Sequence, residues 1–580
     1  MRPLIDPRRG DIEDDAASPD RQSLLALTGT LLAEISLPKL AMAWIWLVVA
    51  PGLLLGVTPI LASIWIDALY SKIKAPFVEL WPALLLLAII FGGLFGGRAL
   101  FRLAEASFWS LNALAVQPGY VACREALRHL AERWLPAHAT ARDRDTLRRA
   151  MAAVSGAMVS ALALLLLSAA WQHAQLVADF GKFATLRPLA GVVIANSIVI
   201  MAGYLAVVAL LWGFADATIA QPGDFTRYRA RPSAGPEWRI AHLSDIHMVG
   251  EQYGFRIESG RSGARGNGRF QQALRRLAQI HAEAPLHAIL ITGDVTDAGR
   301  SCEWAEFFDA LMPFPQLAER LLILPGNHDV NIIDRSNPAR LDLPTSPNKR
   351  LRKLRMLSAM SAIEGRRVRV VDRASGGLGA TLEETLKPHL DWLVKFADCG
   401  KPRLLRKLSD LWAKIFPLVL PPDTDDGLGF MLLDSNSDTH FSFTNALGMI
   451  SSEQVEGIRI ASGQYPRACW IIALHHHLIE YPRAAKALSE RIGTALINGN
   501  WLLRRLQPLA PHVVLMHGHR HFDWIGECAG LAIVSAPSPV MSVPANCEPS
   551  FYIHSFVIGP ERRLDIVPPE RVLLQQAAQA

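Results

Sequence analysis

The chain has 580 residues, 51% of them hydrophobic, and a mean hydropathy of +0.20. These values exclude one ordinary domain with a uniformly water-facing surface, so part of the chain is expected in a bilayer. The net charge of +6 is modest, and six cysteines without CxxC spacing exclude a disulfide framework and a thiolate metal site, as suits a reducing compartment.

Residues 1–37 read as a polar tail rich in Asp, Arg and Pro. Three stretches then lack Asp, Glu, Lys and Arg altogether: 41–66, 151–178 and 188–215. Each is long enough to cross a hydrocarbon core roughly 30 Å thick. A fourth, 80–97, is closed by Arg98 and sits at the lower length limit. Four transmembrane helices are therefore predicted within residues 38–216. The first starts too far from the N-terminus for a cleavable signal peptide and is expected to stay as an anchor. The connection 99–150 holds eight arginines against five acids, and the other connections carry few cations. By the positive-inside rule both termini and the large C-terminal region face the cytoplasm, at what is expected to be a bacterial inner (plasma) membrane.

Residues 217–236 mix Pro, Gly and charge without apolar periodicity and read as a linker. From 237 to 567 short β-like runs alternate with helix-like segments: "WRIAHLSDIH", "RFQQALRRLAQIHAEA", "HAILITGDVTD", "WAEFFDALMPF", "RLLILPGNHD". That rhythm predicts an α/β layered fold, with ligands gathered where strand C-termini open into loops. A basic, helical insertion is expected over 331–427, as a lid or cap. Its Lys349, Arg350, Lys353, Arg355, Arg366, Arg367 and Arg369 read either as a patch for anionic headgroups or a polyanion, or as a solvated helix face. The rhythm returns with "GFMLLDSN", "ACWIIALHHH", "HVVLMHGHRH" and "LAIVSAPS", and residues 568–580 read as a frayed tail.

Five of these run ends carry oxygen or imidazole donors. They supply Asp245 and His247 from "SDIH", Asp294 from "TGDVTD", and Asn327 with His328 from "PGNHD". The triplet His475, His476 and His477 and the pair His519 and His521 of "HGHRH" complete the set. In an extended segment an i, i+2 pair projects to one side, so two such pairs from different strands can hold two cations close together. No GxSxG elbow and no GK[ST] loop is present, which leaves a serine hydrolase and a P-loop NTPase unsupported.

In this order the motifs resemble the calcineurin-like metallophosphoesterases, from about residue 238 to 560 and including "LLDSN" and "GMISSEQVEGI". The resemblance implies a layered β-sandwich with flanking helices, preceded here by an all-α membrane region of about four helices. It implies that Asp245, His247 and His521 bind one metal, that Asn327, His519 and one histidine of the triplet bind a second, and that Asp294 bridges both. His475 is the first choice by position and His476 the second, because the proline that usually follows this motif is missing. It further implies His328 as proton donor or transition-state stabiliser, oriented by Asp329. Asp297 is expected to cap or brace its loop. Arg520, between two ligands, is a candidate contact for a substrate phosphate.

The donor shell suits two divalent ions, Mn, Fe or Zn, about 3.5 to 4 Å apart. Two aspartates and a hydroxide leave such a centre net positive, so a phosphate anion is drawn to it. The expected activity is hydrolysis of a phosphomonoester, phosphodiester or pyrophosphate bond by a metal-bound hydroxide at the cytoplasmic face of a membrane, on a phosphate ester that could be lipid-linked. Two alternatives stand beside it: a membrane sensor or transporter-like protein whose phosphoesterase domain is its regulatory output, and a nuclease. The spans hold no internal charge, which disfavours an ion pathway, and no nucleic-acid-binding module is recognisable.

Overall fold

The computed structural model describes residues 2–12, 41, 45, 49–73, 119–136, 139–177, 186–231, 236–252, 265–331, 347–438, 445–482, 496–541 and 548–574. It divides into two compact units, one of 1–39, 220–484 and 493–580, the other of 40–219 and 485–492.

The second unit is helical: α1 (Ala50–Ile73), α2 (Ala122–Glu132), α3 (Ala141–Trp171) and α4 (Leu186–Thr218). A capping box starts α3, with Thr140 accepting from the Asp143 amide and Asp143 from the Thr140 amide at 3.2 and 2.9 Å. Among the described residues two helices are long and apolar enough to cross a membrane, Arg142–Trp171 and Leu189–Thr218, and Ala50–Ser63 is a shorter apolar stretch. The span expected over 151–178 thus ends at Trp171, and the one expected at 80–97 lies outside the described residues. Close packing joins α3 to α4. A Cβ on Gly156 would stand 2.7 Å from the Ala209 carbonyl oxygen and 3.0 Å from the Gly213 Cα.

The other unit holds two sheets. In one, β2 (Glu237–Leu243), β3 (Ala288–Ile291) and β4 (Leu321–Ile323) run parallel. Its remaining strands, β13 (Ser550–Ile558), β14 (Leu564–Ile566) and β15 (Glu570–Leu573), add antiparallel pairs. The second sheet is built on four parallel strands, β8 (Leu428–Leu432), β9 (Cys469–Ala473), β10 (Val513–His517) and β12 (Leu531–Ser535). One apolar core contains residues of both sheets, among them Ile240, Ile291, Ile471, Val514 and Phe551. Strands β3, β9 and β10 are buried along their whole length, as continuous apolar runs in covered parallel sheets are.

Three expectations are corrected. The insertion is not helical throughout, because β5 (Arg369–Asp372), β6 (Gly377–Thr381) and β7 (Leu418–Leu420) extend the second sheet antiparallel from β8. "RVVD" pairs apolar with charged residues, and its charge density hid a strand. The linker is packed rather than free: β1 (Gly223–Asp224) pairs with β11 (Trp524–Cys528), and Phe225 is buried. The C-terminal tail carries β15, paired with β13.

Two imidazoles, His242 on β2 and His554 on β13, lie 5.8 Å apart inside this core. Burial pushes His554 down to about 3, and burial with His554 and His517 holds His242 well below its ordinary value. The unfolded chain protonates both near pH 6.5, so between there and about pH 3 it binds protons that the folded state refuses. Stability therefore falls as pH falls through this window, by up to about 1.4 kcal/mol per pH unit for each group. His554→Phe should make the acid limb shallower by one proton, read from urea unfolding between pH 6.5 and 4. An unchanged slope would show that His554 is not neutral in the fold.

Candidate functional site

The site forms where the C-terminal ends of β2, β3 and β4 meet those of β9 and β10. Backbone hydrogen bonds hold the first loops in register, from Asp245 N to Gly293 O at 3.0 Å and from His247 N to Asp294 O at 2.9 Å. His475 links the sheets, its Nδ1 lying 2.8 Å from the Thr292 carbonyl oxygen at the end of β3.

Asp245 and His247 follow the end of β2, and His519 and His521 follow the end of β10. They are not on extended backbone: φ is 55° and 49° for the first pair and 75° and 52° for the second, and Asp294 has φ 50°. Five expected ligands therefore occupy the left-handed region, which L-residues enter at a cost and which clusters at functional sites. Left-handed turns, not strand alternation, bring each i, i+2 pair together. Gly293, at φ 92°, leaves room for the cross-sheet histidine, since a Cβ there would stand 2.5 Å from His475 Nδ1. Gly326 does the same for Asp294, whose Oδ1 a Cβ would strike.

The side chains converge in two groups that share Asp294. In the first, His521 Nε2 is 3.1 Å from Asp245 Oδ1, and His247 Nε2 is 3.9 Å from both Asp245 Oδ1 and Asp294 Oδ2. In the second, His475 Nε2 is 3.3 Å from Asp294 Oδ2, 3.0 Å from Asn327 Oδ1 and 3.1 Å from His519 Nδ1. Each group brings three potential metal-ligating atoms within 4.8 Å of one another: Asp245, His247 and His521, and Asp294, His475 and His519. Asp245, His247, Asp294, Asn327 and His475 are buried, while His519 and His521 are half-buried and mark the open side.

The three histidines of the triplet part company. His475 enters the second group. His476 turns to Ser435, with Nδ1 2.8 Å from its hydroxyl oxygen, which also accepts from the amides of His475 and His476. His477 stacks between Tyr481 and His519, with Nε2 3.5 Å from Glu480.

Asp329 does not orient His328. Its carboxylate accepts from the amides of Val295, Thr296 and Gly326 and from the Thr296 hydroxyl, at 2.7 to 3.2 Å. Adjacent residues of a helical turn point in different directions, so the acid next to His328 was the wrong partner to expect. The structure gives that place to Asp297: His328 Nδ1 is 2.7 Å from its carbonyl oxygen, and its Oδ1 lies 3.3 Å from His247 Nδ1 and 3.9 Å from His328 Nδ1. His247, Asp297 and His328 make a third cluster, which no motif spacing announces. Arg520 is engaged by Glu480 at 3.0 Å and lies over the Tyr481 ring.

Electrostatically the site is balanced between acids and imidazoles. Burial and the neighbouring His328 push His247 down to about 4, and burial with His476 and His475 keeps His519 well below its ordinary value, leaving both neutral. Burial works against the Asp294 carboxylate, but His475 and His328 overcome it and hold that group well below the carboxylate range.

Residues 239–383 match the family of the calcineurin-like phosphoesterases, Metallophos. Over 179 residues, 29% of this chain, the sequence is 29% identical to a cAMP/cGMP dual specificity phosphodiesterase of Mycobacterium tuberculosis (strain CDC 1551 / Oshkosh). The match covers 51% of that protein, so the chain spans about half the length of this relative. Among solved structures, a putative 5'-nucleotidase from Staphylococcus aureus matches at 10% identity and TM-score 0.28, over 59% of this chain and 55% of the other. The NAD nucleotidase of Haemophilus influenzae matches at 13% and 0.29, over 58% and 50%. The purple acid phosphatase PPD1 of yellow lupin (Lupinus luteus) seeds matches at 13% and 0.25, over 56% and 50%. The ordered motifs and the family match agree: residues 239–383 carry a calcineurin-like phosphoesterase domain.

Proposed function

We propose that the chain is a phosphoesterase that works with two divalent cations, anchored at the cytoplasmic face of a membrane. Asp245, His247 and His521 would hold one cation, Asn327, His475 and His519 the second, with Asp294 shared. The observation that carries this reading is the convergence of six buried or half-buried donors from four loops around the carboxylate of Asp294 on a fifth. The donor set fits the ions. His247 Nε2 is buried without a hydrogen-bond partner, and the imidazoles of His247 and His519, held neutral, offer lone pairs. Bound cations supply Lewis acidity, which lowers the pKa of water and draws charge from a phosphoryl oxygen.

The protein's own groups do the rest. His328 keeps Nδ1 on the Asp297 carbonyl, so that nitrogen carries its hydrogen as donor. A second proton, on Nε2, makes an imidazolium whose charge the Asp297 carboxylate supports from 3.9 Å. His328 can then hand a proton to a departing alkoxide.

The likeness to a cyclic nucleotide phosphodiesterase favours a phosphodiester substrate. The helices favour the anchor. Leu162, Leu165 and Leu166 on α3 and Val207, Leu211 and Phe214 on α4 are each 53% to 68% exposed within their unit, an apolar surface that water does not tolerate at this size. An anchor would keep the enzyme at a surface that carries lipid-linked phosphate esters, the second substrate reading. A panel with purified, Mn-loaded protein separates them: bis-p-nitrophenyl phosphate and cyclic nucleotides on one arm, lipid diphosphates in detergent on the other. Turnover is expected to vanish on chelation and return with Mn. Activity in metal-free protein, indifferent to strong chelators, would sink the proposal.

A further inference from the structure

Residues 5–11, ahead of the first apolar stretch, are not a loose tail. They lie on the catalytic unit in a short 3-10 turn, Pro7–Arg9, capped by Asp6. Ile5 exchanges both backbone hydrogen bonds with the Ser358 hydroxyl, at 3.0 and 3.3 Å. Pro7 is buried, and Arg8 pairs with Asp309. At the inner end Asp11 is only 5% exposed and is gripped by Arg355, itself 3% exposed, through Nε at 2.6 Å and Nη2 at 2.5 Å. Ser301 Oγ stands 3.4 Å from the same carboxylate.

The remaining arm of Arg355 reaches the site. Its Nη1 donates to the Gly299 carbonyl at 2.8 Å, and one helical turn away Arg352 Nε donates to the Ala298 carbonyl at 2.9 Å. Both carbonyls belong to the loop that begins at Asp294 and carries Asp297. Gly299 sits at φ 66°, closed in by the Asp329 carbonyl oxygen and the Arg352 side chain, so the loop has little room to settle elsewhere. Two of the insertion's cations are thereby consumed inside the fold instead of forming a patch for headgroups.

We infer that the N-terminal segment is a clasp on the metal-site loop, in which Asp11 is a positioning residue: it fixes the fork of Arg355, and Arg355 fixes the loop from Asp294 to Gly299. A planar guanidinium can serve two partners at once only while its plane is held, and the Asp11 carboxylate holds it from the side opposite the loop. Without Asp11, the buried Arg355 loses the carboxylate that receives its Nε and Nη2, and its fork is free to turn toward another partner. The Gly299 carbonyl then loses its donor. The displacement passes to Asp297, 3.3 Å from His247, and to Asp294 itself. Small misplacement of such groups costs far more in rate than in stability.

This inference rests on the proposed metal-dependent phosphoesterase activity, and its test keeps the two apart. Full-length Asp11→Asn is compared with the parent for kcat and KM on bis-p-nitrophenyl phosphate, for calorimetric Mn affinity, and for thermal midpoint. The expected result is a kcat about tenfold lower at unchanged KM, with Mn bound about tenfold more weakly. Asp11→Glu should recover part of both losses. Arg355→Lys should match Asp11→Asn, and the double variant should be no worse than either, because both break one linkage. Parental kcat and Mn affinity in Asp11→Asn, with only a lower thermal midpoint, would reduce the clasp to plain packing. If Asp11→Asn fails to fold, Asp11→Glu and Arg355→Lys decide by the same readouts. Should the parent hydrolyse no phosphate ester, the functional reading fails, and the Mn titration alone still decides the clasp.

Discussion

Asp294→Asn is expected to abolish turnover and strip metal from both positions while leaving the fold standing. The Asp294 carboxylate reaches imidazoles of both groups, with Oδ2 3.3 Å from His475 and 3.9 Å from His247. An amide in its place keeps the shape and can still accept from the His328 amide, which donates to Oδ1 at 2.8 Å. What it loses is the negative charge that lets two cations approach each other. Losing that charge stabilisation in the transition state is worth about 5 kcal/mol, or roughly three to four orders of magnitude in kcat. Stability should move by no more than about 2 kcal/mol, because the carboxylate is already opposed by burial and tolerated only for its imidazole neighbours. Metal content by elemental analysis, kcat and far-ultraviolet circular dichroism on one preparation check all three statements. A variant that kept both metals and its rate would remove Asp294 from the shared position.

The site was more legible than its support. Asp245, His247, Asp294, Asn327, His475, His519 and His521 can be read from short motifs because their chemistry restricts residue type at each loop, whatever the rest of the chain does. The reason for their convergence could not be read. Strand alternation is the natural expectation for each Asp-x-His or His-x-His pair, whereas the chain turns left-handed at every one of them, and the enrichment of Asp and His in that region is too weak to single these positions out. Asp297 was underestimated for a similar reason. Its value lies in what folds onto it, His247 from one loop and His328 from another, and neither is a neighbour in sequence. Ser435 lies within "LLDSN", yet nothing in that motif tells that its single hydroxyl receives the backbone of His475 and His476.

Outside the site, composition misled where charge masked geometry. The basic segment 348–369 reads as surface, but Lys349, Arg352 and Arg355 are buried because each finds an acid or a carbonyl: Asp438 at 2.8 Å, Ala298 and Asp11. Such pairing depends on segments 54 to 344 residues apart, which periodicity cannot register. The α/β rhythm itself was legible, since buried parallel strands such as "AILI" and "CWIIA" must be nearly all apolar to lie between covered faces.

The choice between His475 and His476 yields the sharpest test. His475→Ala and His476→Ala are expected to separate cleanly. His475 Nε2 lies within 3.3 Å of Asn327, His519 and Asp294, so its loss should empty the second metal position and lower kcat by about two to three orders of magnitude. His476 contributes no atom to either group. Its Nδ1 is taken by Ser435, and its ring fills the space beside Gly448, where a Cβ would stand 2.5 Å from the His476 Cγ. His476→Ala should therefore keep full metal stoichiometry and lose stability, by about 2 to 4 kcal/mol for a cavity of that size in a close-packed site. The two substitutions thus fail in different currencies, metal content for one and unfolding midpoint for the other. Equal metal loss in both would mean that the register of the triplet is shifted in the loaded protein, and equal retention would take His475 out of the centre.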